Sequence, residues 1–389
     1  MKEIKTIGII GMGAIGVSTS LILQQAGLNV IGFKHESRKG QLYKEFIEKD
    51  KIVIVNKTDN NILPKRNILK IKITSSLQEI VDKSDLILNC CRFPQNSAIY
   101  QFSEFAKFTI RKKNIPILMF PGKLGSVWMI QKENINVGLI GYSPIFAKSK
   151  ITPDGITVNL LDFKSKIPLA YDNLDTRMCL LNFLNKHFRF KKEALTFIDG
   201  GSPIQTALSS PISAINVSAI CDNAQKLINS KGKPIREEIY VLSEEYSQLF
   251  QKVFNEQIMV ANSLQIFNLP TLKSWLLNRV KSIQPNSSIT KMLEEIYKEK
   301  HVTISRQDRR ITEGFYDLLF FKYFSNVLGN EVPVTEKLLK EINNLQKALN
   351  KNDFSQNINS QIQQLAISYA EHILKERKKT EGEQCVSGL

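Results

Sequence analysis

The sequence predicts an α/β chain, with an N-terminal doubly wound parallel sheet followed by an all-α C-terminal domain. Three observations carry this. Short β-branched runs alternate with amphipathic stretches through the first half. A glycine-rich turn joins the first strand to the first helix. Beyond about residue 200 the apolar spacing changes to the helical period of about 3.6. The length of 389 residues suits two domains, at roughly 150 residues each.

Ile7–Ile10 opens the chain as a buried strand, and Ile15–Ala26 follows with a helical stripe. Val30–Phe33, Ile52–Val55, Ile68–Ile73, Leu86–Asn89 and Ile117–Met119 are further strands, with a helical pattern around Ser76–Val81. This β-α-β rhythm predicts a mainly parallel sheet covered by helices on both faces. From Gly138 to Leu174 the pattern turns to short strands with Pro/Gly punctuation, as at Pro153-Asp154-Gly155. Gly200-Gly201 and Pro203 then break the chain, which sets the first domain at 1–199.

Ser210-Pro211 predicts a helix start: a capping hydroxyl, then a proline where a missing N–H costs nothing. Glu238–Leu264 places Ile239, Leu242, Tyr246, Leu249, Phe250, Val253 and Phe254 at helical spacing. Leu338, Ile342, Leu345 and Leu349 do the same, as do Ile362, Leu365, Tyr369 and Ile373. These stripes predict the core of a helical domain over 200–375. The charged segment 376–389 is expected to be a flexible tail.

The chain holds 53 Lys and Arg against 37 Asp and Glu, a formal net charge of +16. The basic residues are scattered and no nucleic-acid-binding signature accompanies them. A solvated basic surface that draws in anionic small molecules is the expectation. No apolar run reaches ~18 residues, so no membrane-spanning helix is expected. Met1–Ile10 has no basic and apolar leader pattern, and Cys385 does not have prenylation spacing. Cys90, Cys91, Cys179, Cys221 and Cys385 form no CxxC pair, as in a reduced thiol set, so a cytoplasmic protein is expected. His35, His187, His301 and His372 lie too far apart for a zinc site, and no metal is expected.

Gly11-Met12-Gly13-Ala14-Ile15-Gly16 is the strongest feature. Gly11, Gly13 and Gly16 make G-x-G-x-x-G directly after a strand and at the head of a helix, the Rossmann-type dinucleotide fingerprint. Gly11 permits the tight turn, Gly13 lets a pyrophosphate approach the backbone, and Gly16 lets helix and sheet pack closely. Exposed N–H groups and the helix dipole then favour the anion.

An acidic residue ~20 positions on would hold the ribose of NAD. That place falls on Lys34, followed by His35, Ser37, Arg38 and Lys39. No carboxylate repels a 2′-phosphate at Lys34, so NADPH is preferred; NAD is the alternative if Glu36 swings in. Asp85–Pro94 predicts a buried strand whose C-terminal edge faces the ligand, bringing Cys91 and Arg92 toward the cofactor. Phe120–Ser126 adds a second glycine-bearing loop at the same edge.

On these residues the chain resembles the octopine/nopaline (opine) dehydrogenases. Phe120-Pro121-Gly122-Lys123-Leu124-Gly125 resembles that family's Asn-Pro-Gly-Arg loop. Pro153–Val158, with Ile167–Ala170 after it, resembles its Pro-Gly-x-Val segment. Arg309-Arg310-Ile311-Thr312-Glu313 resembles its Arg-Tyr-Leu-Thr-Glu stretch, and Val327–Val334 loosely matches a Leu-Gly-x-Pro-x-Pro region. The resemblance implies NADPH-dependent reduction of the C=N bond formed between an amine or amino acid and an α-keto acid. It also implies a small carboxylate-bearing substrate and a helical substrate domain. The apolar stripes of the helical second domain offer a face that a homodimer would bury.

Two departures stand out. The family's catalytic histidine falls on Ser213 or Ala214, and its aspartate after Thr-Glu falls on Gly314. General acid–base help is typically worth about 10²–10⁴-fold, but hydride addition to an iminium needs no proton in that step. Ser213, Arg309 and Glu313 are the candidate catalytic positions. Arg309 suits a substrate carboxylate, and Glu313, Asp308 or Asp317 is a substitute acid. His301, a few residues upstream, is expected on the surface. Two alternatives remain open. Ser287–Ile296, with Asn216 on a suitable helix, resembles a ketopantoate reductase segment. The missing acid–base pair would also suit a non-catalytic NADP-binding sensor.

Overall fold

The computed structural model of the chain describes residues 3–35, 48–49, 51–58, 63–91, 115–126, 128, 140–142, 147–163, 166–188, 196–277, 284, 286–306, 308–349 and 356–386. The chain divides into two compact units, Met1–Ala207 and Leu208–Leu389. Among the described residues no helix is long and apolar enough to cross a membrane.

The first unit runs β1 (Thr6–Ile10), α1 (Ala14–Gln25), β2 (Asn29–Phe33), β3 (Ile52–Asn56), β4 (Arg66–Leu69), β5 (Lys72–Thr74), α2 (Leu77–Lys83) and β6 (Leu86–Asn89). It continues through β7 (Ile117–Met119), β8 (Ile140–Tyr142), β9 (Ala147–Ile151), β10 (Thr157–Phe163), β11 (Lys166–Tyr171), α3 (Leu174–His187) and β12 (Thr196–Asp199). α4 (Pro203–Leu208) carries the chain across the boundary.

The main sheet has the order β12-β11-β8-β7-β6-β1-β2-β5. Its strands from β5 to β8 are all parallel. β11 is antiparallel to β8 and parallel to β12. The direction of winding reverses between β1 and β6, and at such a point a crevice opens beyond the carboxyl ends of the strands. Ile7, Ile9, Leu86 and Leu88 are buried, as strands covered on both faces require.

Two strand expectations are corrected. β3 lies in a second sheet, of order β4-β3-β10-β9. The run Ile68–Ile73 is two strands: β4 pairs antiparallel with β3 and β5 pairs parallel with β2. Leu69, Ile71 and Ile73 keep an unbroken alternation through the crossing, so periodicity carries no mark of the change of sheet. The Pro153-Asp154-Gly155 punctuation is the β9–β10 hairpin, with Gly155 at φ +76°. Arg177 on α3 donates to the carbonyls of Tyr171 (2.7 Å) and Gly201 (3.0 Å) and pairs with Asp199 (2.8 Å). It pins the Gly200-Gly201 turn, where Gly201 takes φ +70°.

The second unit comprises α5 (Ile212–Asp222), α6 (Ala224–Asn229), β13 (Ile235–Glu237), α7 (Glu244–Ser263), α8 (Leu272–Leu277), α9 (Ile289–Tyr297) and β14 (Val302–Ile304). α10 (Arg309–Val327), α11 (Pro333–Ala348) and α12 (Gln356–Val386) complete it. Among the described residues it is helical apart from the antiparallel β13–β14 ladder and its connecting segments. α10 packs against both α5 and α12, and Phe254, Phe320, Phe324 and Ile342 are wholly buried. Each such side chain contributes about 1.5–3 kcal/mol.

Three helix boundaries differ from the sequence reading. Pro211 itself is the N-cap of α5, without a side-chain cap, so Ser210 is not the capping residue. α7 starts at Glu244, where the Ser243 hydroxyl accepts from the Tyr246 N–H at 3.5 Å. Ile239 and Leu242 precede it, buried in a turn. α12 runs on to Val386 and so takes in much of the segment expected as a tail.

Candidate functional site

The glycine turn after β1 is built from three strand ends. β1 stops at Ile10 and Gly11 turns the chain at φ +94°. A β-carbon on Gly11 would lie 2.9 Å from Cys91 Sγ and 3.0 Å from the Cys91 nitrogen. The exit of β6 is therefore packed against the exit of β1, and the Cys90 N–H donates to the Ile10 carbonyl at 2.7 Å. Asn89, fully buried, accepts from the Cys91 N–H at 3.0 Å and shapes that exit. The Gly11 N–H donates to the Phe33 carbonyl of β2 at 3.3 Å.

Gly13 is the N-cap of α1, and a β-carbon there would meet nothing within 4 Å. The first turn of α1 holds no acidic side chain, and no side chain caps it. Space, unclaimed N–H groups and the positive helix end thus converge on one point, which suits a phosphate. Gly16 differs, because its β-carbon would stand 2.2 Å from the Gly11 carbonyl oxygen. Met12 is a core residue packed over Gly32, so its backbone alone faces the turn. Ala14 and Ile15 also pack on the core. These residues fit a dinucleotide.

At the end of β2, Lys34 is half-buried and its N–H donates to the Thr74 carbonyl at 3.0 Å. Ser37, Arg38 and Arg92 lie outside the described residues. Burial pushes the Cys90 thiol well above its ordinary range, with Cys91 adding to the effect.

The second constellation lies within the helical unit. Of the two positions for the missing histidine, Ala214 is wholly buried, while Ser213 is half-exposed and donates to Asp317 Oδ2 at 2.5 Å. Gly314, where the family has an aspartate, faces Val217 of α5. A β-carbon there would lie 2.5 Å from Val217 Cγ2. One turn after Ser213, Asn216 accepts from the Tyr240 hydroxyl at 2.8 Å. Asp308 caps α10 and holds Arg310 through Nε (2.8 Å) and Nη2 (2.5 Å). The salt bridge and Tyr240 raise the Arg310 pKa against the opposing effect of burial. Arg309 is the first residue of α10 and Glu313, half-buried, stands one turn on. The side chain of Arg309 lies outside the described residues. His301 is exposed, 3.9 Å from Glu238.

Sequence reasoning missed Asn89 and Tyr240. Asn89 ends an apolar run as any strand terminus does, and Tyr240 lies outside the helical stripe that the spacing marks. Among the described residues no three His, Cys, Asp or Glu are grouped to hold a metal.

No protein-family model matches the chain, and no curated protein matches it by sequence. Solved structures do match. Octopine dehydrogenase, solved with NADH and L-arginine, aligns over 90% of this chain and 91% of its own, with a TM-score of 0.70 and 14% identity. The fold is that of the opine dehydrogenases. Yersinopine dehydrogenase with NADP+ bound aligns over 96% of this chain and 100% of its own, with a TM-score of 0.70 and 12% identity. The 2-dehydropantoate 2-reductase of Geobacter metallireducens aligns over 87% and 99%, with a TM-score of 0.58 and 16% identity. The opine dehydrogenase likeness thus extends through both the sheet unit and the helical unit, where the sequence resemblance rested on short motifs.

Proposed function

We propose that this chain is an NADPH-dependent oxidoreductase that reduces the C=N bond formed between an amine and an α-keto acid. One observation carries the reading. The open cradle at Gly13 lies where the sheet reverses direction, in a chain with opine dehydrogenase architecture almost throughout. Residues 1–199 form the nucleotide domain and 200–375 the substrate domain. Gly11, Gly13 and Gly16, with the backbones of Met12, Ala14 and Ile15, receive the pyrophosphate. Lys34, Ser37 and Arg38 receive the 2′-phosphate, and Cys91 and Arg92 flank the crevice. NADP is the preferred cofactor, with NAD accepted more weakly.

When bound, the reduced nicotinamide supplies a hydride. The substrate is a small carboxylate-bearing molecule. Octopine dehydrogenase has been solved with pyruvate as well as with L-arginine, which supports that class. Arg309 holds the substrate carboxylate, for which its guanidinium fork is suited. Glu313 follows it at the i+4 position of the helix, and Ser213 is the third candidate catalytic residue.

The test has two parts. NADPH and NADH are titrated by fluorescence, and NADPH oxidation is then followed with α-keto acids, with and without amino acids. Turnover that needs the amine supports C=N reduction. Turnover with the keto acid alone marks a ketone reductase, the reading that the dehydropantoate reductase likeness favours. Binding without turnover marks a sensor. No binding of either nucleotide overturns the oxidoreductase reading.

A further inference from the structure

The second sheet, β4-β3-β10-β9, is strongly basic. Lys51, Lys57, Lys65, Arg66 and Lys70 lie on or beside β3 and β4, and Lys148 and Lys150 lie on β9. All seven are exposed. Lys5, Lys72, Lys83 and Arg177 of the same unit lie against carboxylates, whereas none of the seven is ion-paired among the described residues. The described stretches of this sheet hold two acids. Asp154 is in the β9–β10 turn, hydrogen-bonded to Thr152, and Asp162 stands opposite Lys148 in the ladder. Lys150 stands opposite Asn159.

This sheet is laid on α1, the helix whose amino end is the open cradle. β9, β10 and β4 all pack against it. At the cradle end, the Ser149 hydroxyl donates to the carbonyl of Ala14, the first residue of α1, at 3.0 Å. The Ser18 hydroxyl lies 3.1 Å from Ser149 Oγ. At the other end, Gln24 Nε2 donates to the Lys70 carbonyl at 2.8 Å. Lys148 and Lys150 therefore flank a serine that is bonded to the residue next to Gly13. Ser149 faces α1, so strand alternation turns both lysines to the solvent side.

Cations fixed beside a binding point, rather than in it, act on the approach of a ligand more than on its bound state. NADPH carries a diphosphate and, beyond NADH, a 2′-phosphate of about −1.5 to −2 charge. Unpaired cations speed the arrival of such a polyanion, most at low ionic strength. We infer that the basic sheet steers phosphate-rich dinucleotides to the amino end of α1, and that it favours NADPH over NADH through the rate of association. This rests on the nucleotide reading proposed above. It is separable from that reading, because steering is seen in the association rate and the reading in binding itself.

Stopped-flow fluorescence with the full chain tests it, with NADPH and NADH at about 20 mM and about 200 mM salt. Lys148→Gln/Lys150→Gln is compared with Lys5→Gln/Lys186→Gln, which removes the same charge elsewhere in the unit. Lys5 precedes β1 at the amino end of the parallel strands. Lys186 adjoins His187, whose Nδ1 lies 3.4 Å from the Ala26 carbonyl at the far end of α1. The β9 pair is expected to slow NADPH association by about 3- to 10-fold at low salt. Dissociation is unchanged, and the deficit shrinks at high salt. NADH loses less, and the comparison pair loses less than about 2-fold. Equal urea midpoints show that both variants are folded. Three results would each overturn the inference: normal NADPH association in the β9 pair, an equal loss in the comparison pair, or a change confined to dissociation, which marks a direct contact. Wild-type protein that binds neither nucleotide removes the nucleotide reading and the inference with it.

Discussion

Gly16 lies so close to Gly11 that a β-carbon on it would stand 2.2 Å from the Gly11 carbonyl oxygen, whereas one on Gly13 would touch nothing within 4 Å. Two glycines of one motif therefore sit in different surroundings, one packed against backbone and one facing open space. Gly16→Ala forces backbone against backbone and is expected to destabilise the protein by about 2 kcal/mol or more. Gly13→Val fits the free protein, since Gly13 is at φ −97°, and is expected to cost about 1 kcal/mol at most through the weaker cap. Its β-branched side chain fills the phosphate space, so NADPH affinity falls at least about 10-fold, a loss of ~1.4 kcal/mol of binding. Urea denaturation alongside fluorescence titration separates the two. A Gly13→Val protein that melts normally and binds NADPH normally would refute the cradle.

Lys34 stands at the end of β2, tied through its N–H to Thr74. A carboxylate at this place would accept the ribose hydroxyls and repel a 2′-phosphate. Lys34→Asp is expected to weaken NADPH by about 10- to 100-fold and to tighten NADH, at the scale of ~1.4 kcal/mol per tenfold. Competitive titration of the two cofactors measures the ratio. An unchanged ratio would remove Lys34 from the specificity of the site.

Glu256 on α7 performs a task that local sequence does not reveal. It is 8% exposed and accepts from the Val334 N–H (2.7 Å), the Thr335 N–H (2.9 Å) and the Thr335 hydroxyl (2.6 Å). Val332, the N-cap of α11, has no polar side chain to do this. Glu256→Ala strands those donors and is expected to destabilise the protein by about 3 kcal/mol, with Glu256→Gln intermediate. Urea midpoints measure both. Glu256→Ala unfolding at the wild-type midpoint would show that water replaces the carboxylate without loss.

The first half of the fold was legible because its decisive signals are local. The glycine spacing from Gly11 to Gly16, the β-branched strand of Ile7–Ile10 and the buried run of Leu86–Asn89 each occupy a few consecutive residues. What escaped depends on partners distant in the chain. Nothing near Leu69 marks that the strand before Lys70 and the strand after it join different sheets. The Ser213–Asp317 pair spans 104 positions, and Gly314 looks like an interruption of a helix until Val217 is seen across from it. Short-range motifs therefore marked the glycine turn, while the Ser213–Asp317 pair depends on how two helices cross.

The thiols give a last test of how the turn is built. Cys90 and Cys221 are buried, Cys91 is half-buried against Gly11, and Cys179 is exposed. Burial pushes the Cys221 thiol well above its ordinary range, and the charges of Glu341 and Asp222 push it further. Cys90 is raised in the same direction by burial. Thiolate is the reactive form. Iodoacetamide at about pH 9 should therefore leave Cys90 and Cys221 unmodified in the folded protein. On the proposed reading a nucleotide covers the turn beside Cys91, so NADPH should slow labelling there and leave the labelling of Cys179 unchanged. Peptide mass spectrometry resolves each site. Labelling of Cys91 that ignores NADPH would place the pyrophosphate away from the exit of β6, against the convergence of β1, β2 and β6 on Gly11.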